Sequence, residues 1–345
     1  MKRVFTAFAA VAALALSQGP ASAEDEVTLR IHQFLPAQAP IPANFIQPWA
    51  ERVTEESDGR IQFELYPAMQ LGGAPPGLYD QAREGVVDVI WTVLGYTPGR
   101  FPKMEVFDLP FIGTTGEVTS LAAWDYYEAH AQDEFADVQV IAVHTHGPGL
   151  IHARGEGVRS LDDMEGKNVR GPSRMITRLI EELGATAVGM PVPEVPESLS
   201  RGVIDAAVIP WEVTLPLRIA ELVDTHTGFS GERGLYVTPF VFAMNQDAYD
   251  GLPDDLKAVI DANSGSETSA WAGRVMDEGD IPGREAAEAE GNDIVTLDEA
   301  ETERWREASQ AVIDEWIANM DAEGHDGEEL YESARELVET HSGGS

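Results

Sequence analysis

The chain reads as an α/β protein of two related lobes, and three observations carry that reading. Its first part runs strand, helix, strand; one helix-to-strand junction recurs in the second half; and its last third is helical. Glu26 to Phe34 alternates apolar and polar residues, which is strand periodicity, and opens at Leu35-Pro36 into a loop. Asn44 to Ser57 places Phe45, Ile46, Trp49 and Val53 at helical spacing and is closed by Asp58-Gly59. Arg60 to Tyr66 is a second strand, so the order is β-α-β and a parallel sheet covered by helices is expected. After a Gly/Pro loop at Gly72 to Gly77, Leu78 to Glu84 forms a short helix and Val86 to Val93 a buried strand; Leu161 to Gly184 and Val195 to Ile209 repeat the theme.

The recurring junction is Arg83-Glu84-Gly85-Val86-Val87-Asp88 and Ser200-Arg201-Gly202-Val203-Ile204-Asp205. Each is a helix end, a glycine suited to the left-handed cap, two β-branched residues and an aspartate, leading into an apolar strand. Any helix-to-strand turn shares some of this, but the match at six positions favours two related lobes. Open α/β sheets bind ligands beyond the carboxyl ends of their strands. Trp91 and Trp211, near the two strand ends, are therefore candidate walls of a cleft. In the last third, Leu252 to Leu256 starts a helix, Ser264 to Glu290 is a long amphipathic stretch expected to break near Pro282-Gly283, and Asn292 to Leu297 is a short strand. Thr302 to Met320 then forms a helix with Trp305, Val312, Trp316 and Ile317 on one face, and from Gly324 a polar, acidic tail is expected, with Ser342 to Ser345 disordered.

Composition narrows the function. There are 345 residues, no cysteine, and 23 Lys+Arg against 60 Asp+Glu, a formal charge of −37. That field repels phosphate backbones and anionic membranes, so nucleic acid is excluded as a partner. Without a thiol there is no disulfide, thiolate metal site or cysteine nucleophile. Lys2 and Arg3, the apolar run Val4 to Leu16 and the small residues Ala21-Ser22-Ala23 form a secretory signal peptide with cleavage expected after Ala23. The run falls short of the about 20 residues that span a bilayer. An exported protein is expected. No Gly-x-Ser-x-Gly elbow, P-loop, dinucleotide fingerprint, His-Glu-x-x-His or calcium loop is present.

The most informative segment is Leu161 to Pro172. Arg170 ends a short strand before Gly171-Pro172, and a planar guanidinium on a rigid mount suits bidentate carboxylate binding; with 60 acids in the chain, a surface ion pair is the plainer reading. Trp211 could stack on a ligand ring or pack in the core, and Glu212 could accept from a ligand hydroxyl or from Arg170. Ser173 and Arg174 open a helix whose N-terminal amides attract anions. Gln33 and Phe34, at the end of the first strand, would line the opposite wall. His144, His146 and His152 invite a metal reading, because His-x-His on a strand puts both rings on one face, but a third ligand is not obvious and Gly147-Pro148-Gly149 turns the chain away.

With these motifs in view, the chain resembles the DctP-type substrate-binding proteins of the tripartite ATP-independent periplasmic (TRAP) transporters. The signal peptide, Tyr96 to Pro102, Asp108-Leu109-Pro110-Phe111, Leu161 to Arg170, and Pro193-Glu194-Val195 through Gly202 to Asp205 carry the likeness, which runs from Val27 to about Trp316. The resemblance implies a two-domain periplasmic-binding-protein fold with a parallel or mixed sheet in each lobe, hinge strands and a long C-terminal helix. It also implies that Arg170 pairs with the ligand carboxylate, that the lobes close on the ligand by a hinge, and that the ligand passes to the small and large TRAP membrane subunits. On that pattern lobe I comprises residues 24–148 and about 238–265, lobe II 149–237 and about 290–325, with helix 266–289 spanning both and 326–345 a flexible acidic tail.

Three departures make the expected site less polar. Val208-Ile209 stand where the family often has a polar residue, and Val192 stands where an aromatic often precedes the Pro-Glu-Val motif. Leu150 falls at the spacing of a second arginine found in sialic-acid binders, with Arg154 off register. The expected function is a periplasmic receptor, monomeric and without cofactor or metal, for a monocarboxylate with an apolar or aromatic body, bound by Arg170, Trp211, Glu212, Arg174, Trp91, Gln33 and Phe34. A C4-dicarboxylate or sugar acid, an extracytoplasmic sensor or ABC-type receptor, and an exported enzyme are the competing readings.

Overall fold

The computed structural model describes residues 26–343, so the signal peptide lies outside the described residues, as do Gly344 and Ser345. The first lobe begins β1 (Val27–His32), α1 (Gln47–Glu56), β2 (Ile61–Tyr66), α2 (Leu78–Arg83) and β3 (Val89–Val93). It continues with α3 (Gly116–Tyr126) and β4 (Val138–Thr145). The second lobe holds β5 (Leu150–Ala153), β6 (Asn168–Gly171), α4 (Arg174–Glu182), β7 (Thr186–Gly189), α5 (Val195–Arg201), β8 (Ala206–Ile209) and β9 (Thr225–Gly228). The chain then returns as β10 (Pro239–Asn245), α6 (Gln246–Asp250) and α7 (Asp254–Ala262), and ends with α8 (Ser266–Glu290), β11 (Asp293–Thr296), α9 (Glu299–Glu323) and α10 (Gly327–Ser342).

Two sheets result, of five strands in the order β2-β1-β3-β10-β4 and six in the order β11-β9-β5-β8-β6-β7. β1 runs parallel to β2 and β3, as the β-α-β order predicts. Each sheet also contains one reversed strand that local sequence does not announce: β10 is antiparallel to β3 and β4, and β5 is antiparallel to β8 and β9. Both sit beside the places where the chain crosses between lobes. β3 is buried along its whole length, as expected of a strand with helices on both faces.

The repeated junction builds the same object twice. Gly85 and Gly202 take φ of 69° and 70°, in the left-handed region. Asp88 Oδ2 then accepts from the Arg30 N–H of β1 at 2.8 Å, and Asp205 Oδ2 from the Asn168 N–H of β6 at 2.8 Å. In each lobe the aspartate thus clips the strand it opens onto the neighbouring parallel strand.

Several segments join the lobes, three of them beside the cleft. The crossings at residues 145–150 and 234–239 pair with each other, Gly149 N–H donating to Tyr236 O at 2.9 Å and Leu235 N–H to Gly149 O at 3.1 Å. The third is α8, which carries two aspartates one turn apart. Asp277 accepts from the Gly116 and Glu117 N–H groups that begin α3 (2.6 and 2.9 Å), while Asp280 accepts from the Glu212 N–H of lobe II (2.8 Å). Small residues allow this approach: a Cβ at Gly273 would lie 2.2 Å from Gly116 O, and one at Gly283 would lie 2.2 Å from Trp211 O.

Two expectations are corrected. α8 is not broken at Pro282-Gly283, because Pro282 and Glu278, whose carbonyl loses its partner, both lie on the exposed side where water can replace it. The segment expected as a flexible acidic tail is mostly the helix α10. Asp326 caps it by accepting from Glu329 N–H at 3.0 Å, and Leu330, Ala334 and Val338 form a buried stripe packed toward α3. The stripe spans one residue per turn, too narrow to register against the five acids and the other polar residues of the helix. No helix among the described residues is long and apolar enough to cross a membrane.

Candidate functional site

The carboxyl ends of the parallel strands in both sheets point at one another across a cleft, and the space between them is lined from both lobes. The lobe I wall is aromatic. Phe34, just past β1, stacks on Trp91 of β3 (ring centroids 4.8 Å apart, 17° between planes), and Trp91 stacks on Phe240 of β10 (4.9 Å, 7°). Tyr96 meets Phe34 edge-on at 5.5 Å. Trp91 has its one polar atom satisfied out of the cavity: Nε1–H donates to His144 Nε2 at 2.8 Å. Burial holds His144 down to about 3, so it is a neutral acceptor that fixes the plane of the indole.

The lobe II wall has one guanidinium among aliphatic groups, Val192, Ile209, Pro210 and Val213. Arg170 lies in β6 between β7 and β8, and is 2% exposed. Its Nε donates to Met190 O at 2.9 Å and its Nη1 to Val208 O at 3.1 Å, which locks the plane of the fork. Among the described residues no carboxylate lies within ion-pairing distance of it, so the plainer reading of a surface salt bridge does not hold. Tyr96 and Tyr236 sit within the reach of its charge, as does His146. His146 lines the cavity with Nδ1 against Gly147 O at 2.5 Å and is held down to about 4, by burial first and the Arg170 charge in addition.

Of the residues anticipated from the sequence, Arg170, Trp91, Phe34 and Glu212 line the cavity, and Trp211, Arg174 and Gln33 do not. Trp211 packs instead against His226 (4.6 Å) and His152 (5.1 Å), where Leu150 joins it in a small cluster. Pro210 follows β8, and the turn after it places Trp211 over these histidines instead of in the cavity. Arg174 lies at the cleft mouth and makes a two-pronged ion pair with Glu105 of lobe I, its Nε 2.6 Å from Oε1. Its charge was the right signal but its partner is protein. Gln33 folds back onto its own turn, Nε2 donating to Leu35 O at 2.8 Å. Ser173 caps α4 by accepting from Ile176 N–H. The three histidines do not converge: His144 serves Trp91, His146 lines the cavity, and His152 meets His226 in the other sheet at 2.6 Å. No group of three or more metal-ligating side chains occurs among the described residues.

Sequence reading missed Tyr96, Tyr236 and Phe240. Tyr96 stands in a motif that carried the family resemblance, which could have flagged it. Phe240 reaches Trp91 only because β10 inserts beside β3 from far along the chain.

The family model for bacterial extracellular solute-binding protein, family 7 (DctP), matches residues 32–319. The chain belongs to this family. Among solved structures, this DctP-type protein is 46% identical to a TRAP solute-binding protein from Rhodoferax ferrireducens T118, crystallised with copurified benzoate, with 92% of this chain and 98% of that one covered and a TM-score of 0.90. It is 44% identical to a marine metagenome TRAP solute-binding protein specific for aromatic acid ligands, in complex with 3-hydroxybenzoate (92% and 99% covered, TM-score 0.90). A Bordetella bronchiseptica TRAP periplasmic solute-binding protein with bound (R)- and (S)-mandelate is 30% identical (91% and 99% covered, TM-score 0.84). The two-lobed mixed-sheet architecture is that of the TRAP solute-binding proteins, and the protein is a solute receptor of that system.

Proposed function

We propose that this DctP-type protein is a receptor for an aromatic monocarboxylate of benzoate size, exported after cleavage behind Ala23, that works as a monomer and hands its ligand unchanged to the TRAP membrane subunits. The observation that carries the reading is Arg170: a guanidinium, always charged in proteins, is 2% exposed and faces a cavity with no carboxylate beside it. A buried charge without a counter-ion is costly, and a ligand carboxylate removes that cost. The facing wall of Phe34, Trp91 and Phe240 offers a flat ring an apolar slot, as expected of a ligand whose remaining body is aromatic. Relatives holding benzoate, 3-hydroxybenzoate and mandelate support the same class. With a single buried guanidinium on the cavity, a dicarboxylate would leave one anionic end unpaired.

The ligand touches both lobes at once, its carboxylate on lobe II and its ring on lobe I, so it binds the closed form better than any open form and shifts the protein toward closure. Two contacts already bridge the lobes at the cleft, Val192 N–H to the Tyr96 hydroxyl at 2.9 Å and Arg174 to Glu105. Calorimetric titration with benzoate tests the reading. Arg170→Ala should cost about 2–5 kcal/mol of affinity, the range for removing one member of a buried charge pair. Full affinity in that variant, or no binding of any aromatic acid by the wild type, overturns it.

A further inference from the structure

The cavity holds a second polar group that closure of the lobes leaves unused. Glu212, in the turn Trp211–Val213 after β8, is 3% exposed and lines the cavity, and its Oε2 is buried without a hydrogen-bond partner. Its position is not loose: its backbone N–H is tied to Asp280 of α8 at 2.8 Å, and its Cβ would meet any side chain placed at Gly279 at 3.0 Å. Of the other polar side chains on the cavity, all but the Tyr236 hydroxyl already have a partner. Arg170 donates to two carbonyls, Tyr96 accepts from Val192, Thr238 donates to Asp108 Oδ1 at 3.0 Å, and His146 is bonded to Gly147. An unmade hydrogen bond at a buried polar atom is destabilising, and an aliphatic side chain in its place would avoid that cost.

The carboxyl and the guanidinium come from different elements. Arg170 projects from β6 and Glu212 from the turn after β8; Tyr236 lies within the reach of both, and Asp280 of α8 is the charge beside Glu212. The cavity therefore offers a guanidinium from β6 and a carboxyl from the turn after β8, with apolar side chains lining most of the rest. Burial, with Asp280 in addition, pushes Glu212 up to about 8, so at neutral pH it is an uncharged carboxyl that can both donate and accept and does not repel the anion bound at Arg170. The group that complements it on an aromatic acid is small, uncharged and likewise able to donate and accept.

We infer that Glu212 is a specificity-determining residue that hydrogen-bonds a hydroxyl on the ring of the bound acid, so that the protein selects hydroxylated aromatic monocarboxylates over counterparts without the hydroxyl. This rests on the proposed aromatic-acid reading and adds to it the second contact that fixes the ring's orientation.

The test compares isosteres by calorimetric titration of the full mature chain: 3-hydroxybenzoate against 3-methylbenzoate, and 4-hydroxybenzoate against 4-methylbenzoate. In the wild type at least one hydroxy acid should bind about tenfold tighter or more than its methyl partner, as when a buried polar group is left unpaired by the analogue. Glu212→Gln keeps a donor and an acceptor and should preserve that ratio. Glu212→Leu should bring it to about one or invert it, while benzoate itself still binds. Methyl and hydroxy acids of equal affinity in the wild type overturn the inference without touching the aromatic-acid reading, and this arm needs no variant to fold. A ratio unchanged in Glu212→Leu overturns it as well. Failure of benzoate and of all four substituted acids to bind sinks the aromatic-acid reading, and this inference with it.

Discussion

The turn that launches β3 in lobe I and the turn that launches β8 in lobe II are built alike, from the left-handed glycine to the aspartate that clips the next strand, yet the walls they deliver to the cavity differ in chemistry. In lobe I the strand carries Trp91 into the cavity, where it sits in a stack with Phe34 and Phe240. In lobe II the corresponding strand contributes Ile209, and its tryptophan lies beyond Pro210, packed on His152 and His226 instead of on the cavity. A repeated frame thus fixes where strand ends lie, while the residues at and just past those ends decide what each lobe offers: a flat apolar surface from one side, and a guanidinium and a carboxyl from the other. On the proposed reading, dividing the ligand's chemistry between lobes also makes binding depend on closure, since neither wall alone meets the whole molecule.

The sharpest way to break this comparison is at the two tryptophans. Trp91→Ala and Trp211→Ala should each destabilise the fold by about 3–5 kcal/mol, as large aromatic truncations do. Only Trp91→Ala should also weaken an aromatic acid, by about 2 kcal/mol, the scale of a central contact. Thermal denaturation and titration of both variants decide it, and an equal loss of affinity in Trp211→Ala would mean that the two walls are not distinct.

A somewhat smaller effect is expected along α8, which serves both lobes through close backbone approach. Gly273→Ala forces a methyl against Gly116 O and Gly283→Ala forces one against Trp211 O, so each should cost about 1–3 kcal/mol, as overpacking does. Urea titrations in which either variant matched the wild type would show that α8 can shift away from that lobe.

The equivalence of the two junctions is tested at their aspartates. Asp88→Ala and Asp205→Ala both orphan a strand N–H and should cost similar amounts, about 1–3 kcal/mol. A cost confined to one of them would make the repeat a likeness of sequence without a shared role.

The smallest effect is in pH dependence, where the two lobes and the helix between them pull against each other. Burial pushes Glu212, Asp280, Asp108 and Glu134 up to about 8, so from the ordinary carboxylate range to pH 8 the folded state holds protons that the unfolded state has lost. Their contribution to stability is present at low pH and declines as pH rises through that window. His144, His146 and His226 are held down, to about 3, 4 and 4, so their contribution grows as pH rises toward 6.5 and is constant above it. Below 6.5 the two trends oppose. Between 6.5 and 8 only the carboxyls act, and Tm should fall across that interval; a flat or rising Tm there would contradict the buried, protonated state of these acids.

Much of the frame was legible beforehand because its signals are local. Alternation in β1, the helical spacing of Phe45, Trp49 and Val53, and the paired glycine junctions each involve residues close together in the chain. Arg170 was legible because a strand end, a glycine and a proline mark a rigid mount, and because the surrounding motif resembles a known family. Arg174, Gln33 and Trp211 misled for a common reason: nearness in sequence to a strand end says nothing about which neighbour a side chain meets. Arg174 met Glu105 from the other lobe, Gln33 met its own backbone, and Trp211 met two histidines. α10 was obscured by charge, its apolar stripe being one residue per turn in an acid-rich segment.

By itself the sequence determined that this is an exported, acidic α/β protein of two related lobes, with an arginine mounted at a strand end, since periodicity, caps and charge act over a few residues. Only the tertiary structure decided that β10 would lay Phe240 beside Trp91, that α8 would bind both lobes through Asp277 and Asp280, and that Arg170 would face the cavity without a protein carboxylate. Those outcomes depend on contacts between segments far apart in the chain, and a buried charge acquires or lacks a partner only once the whole chain has folded around it.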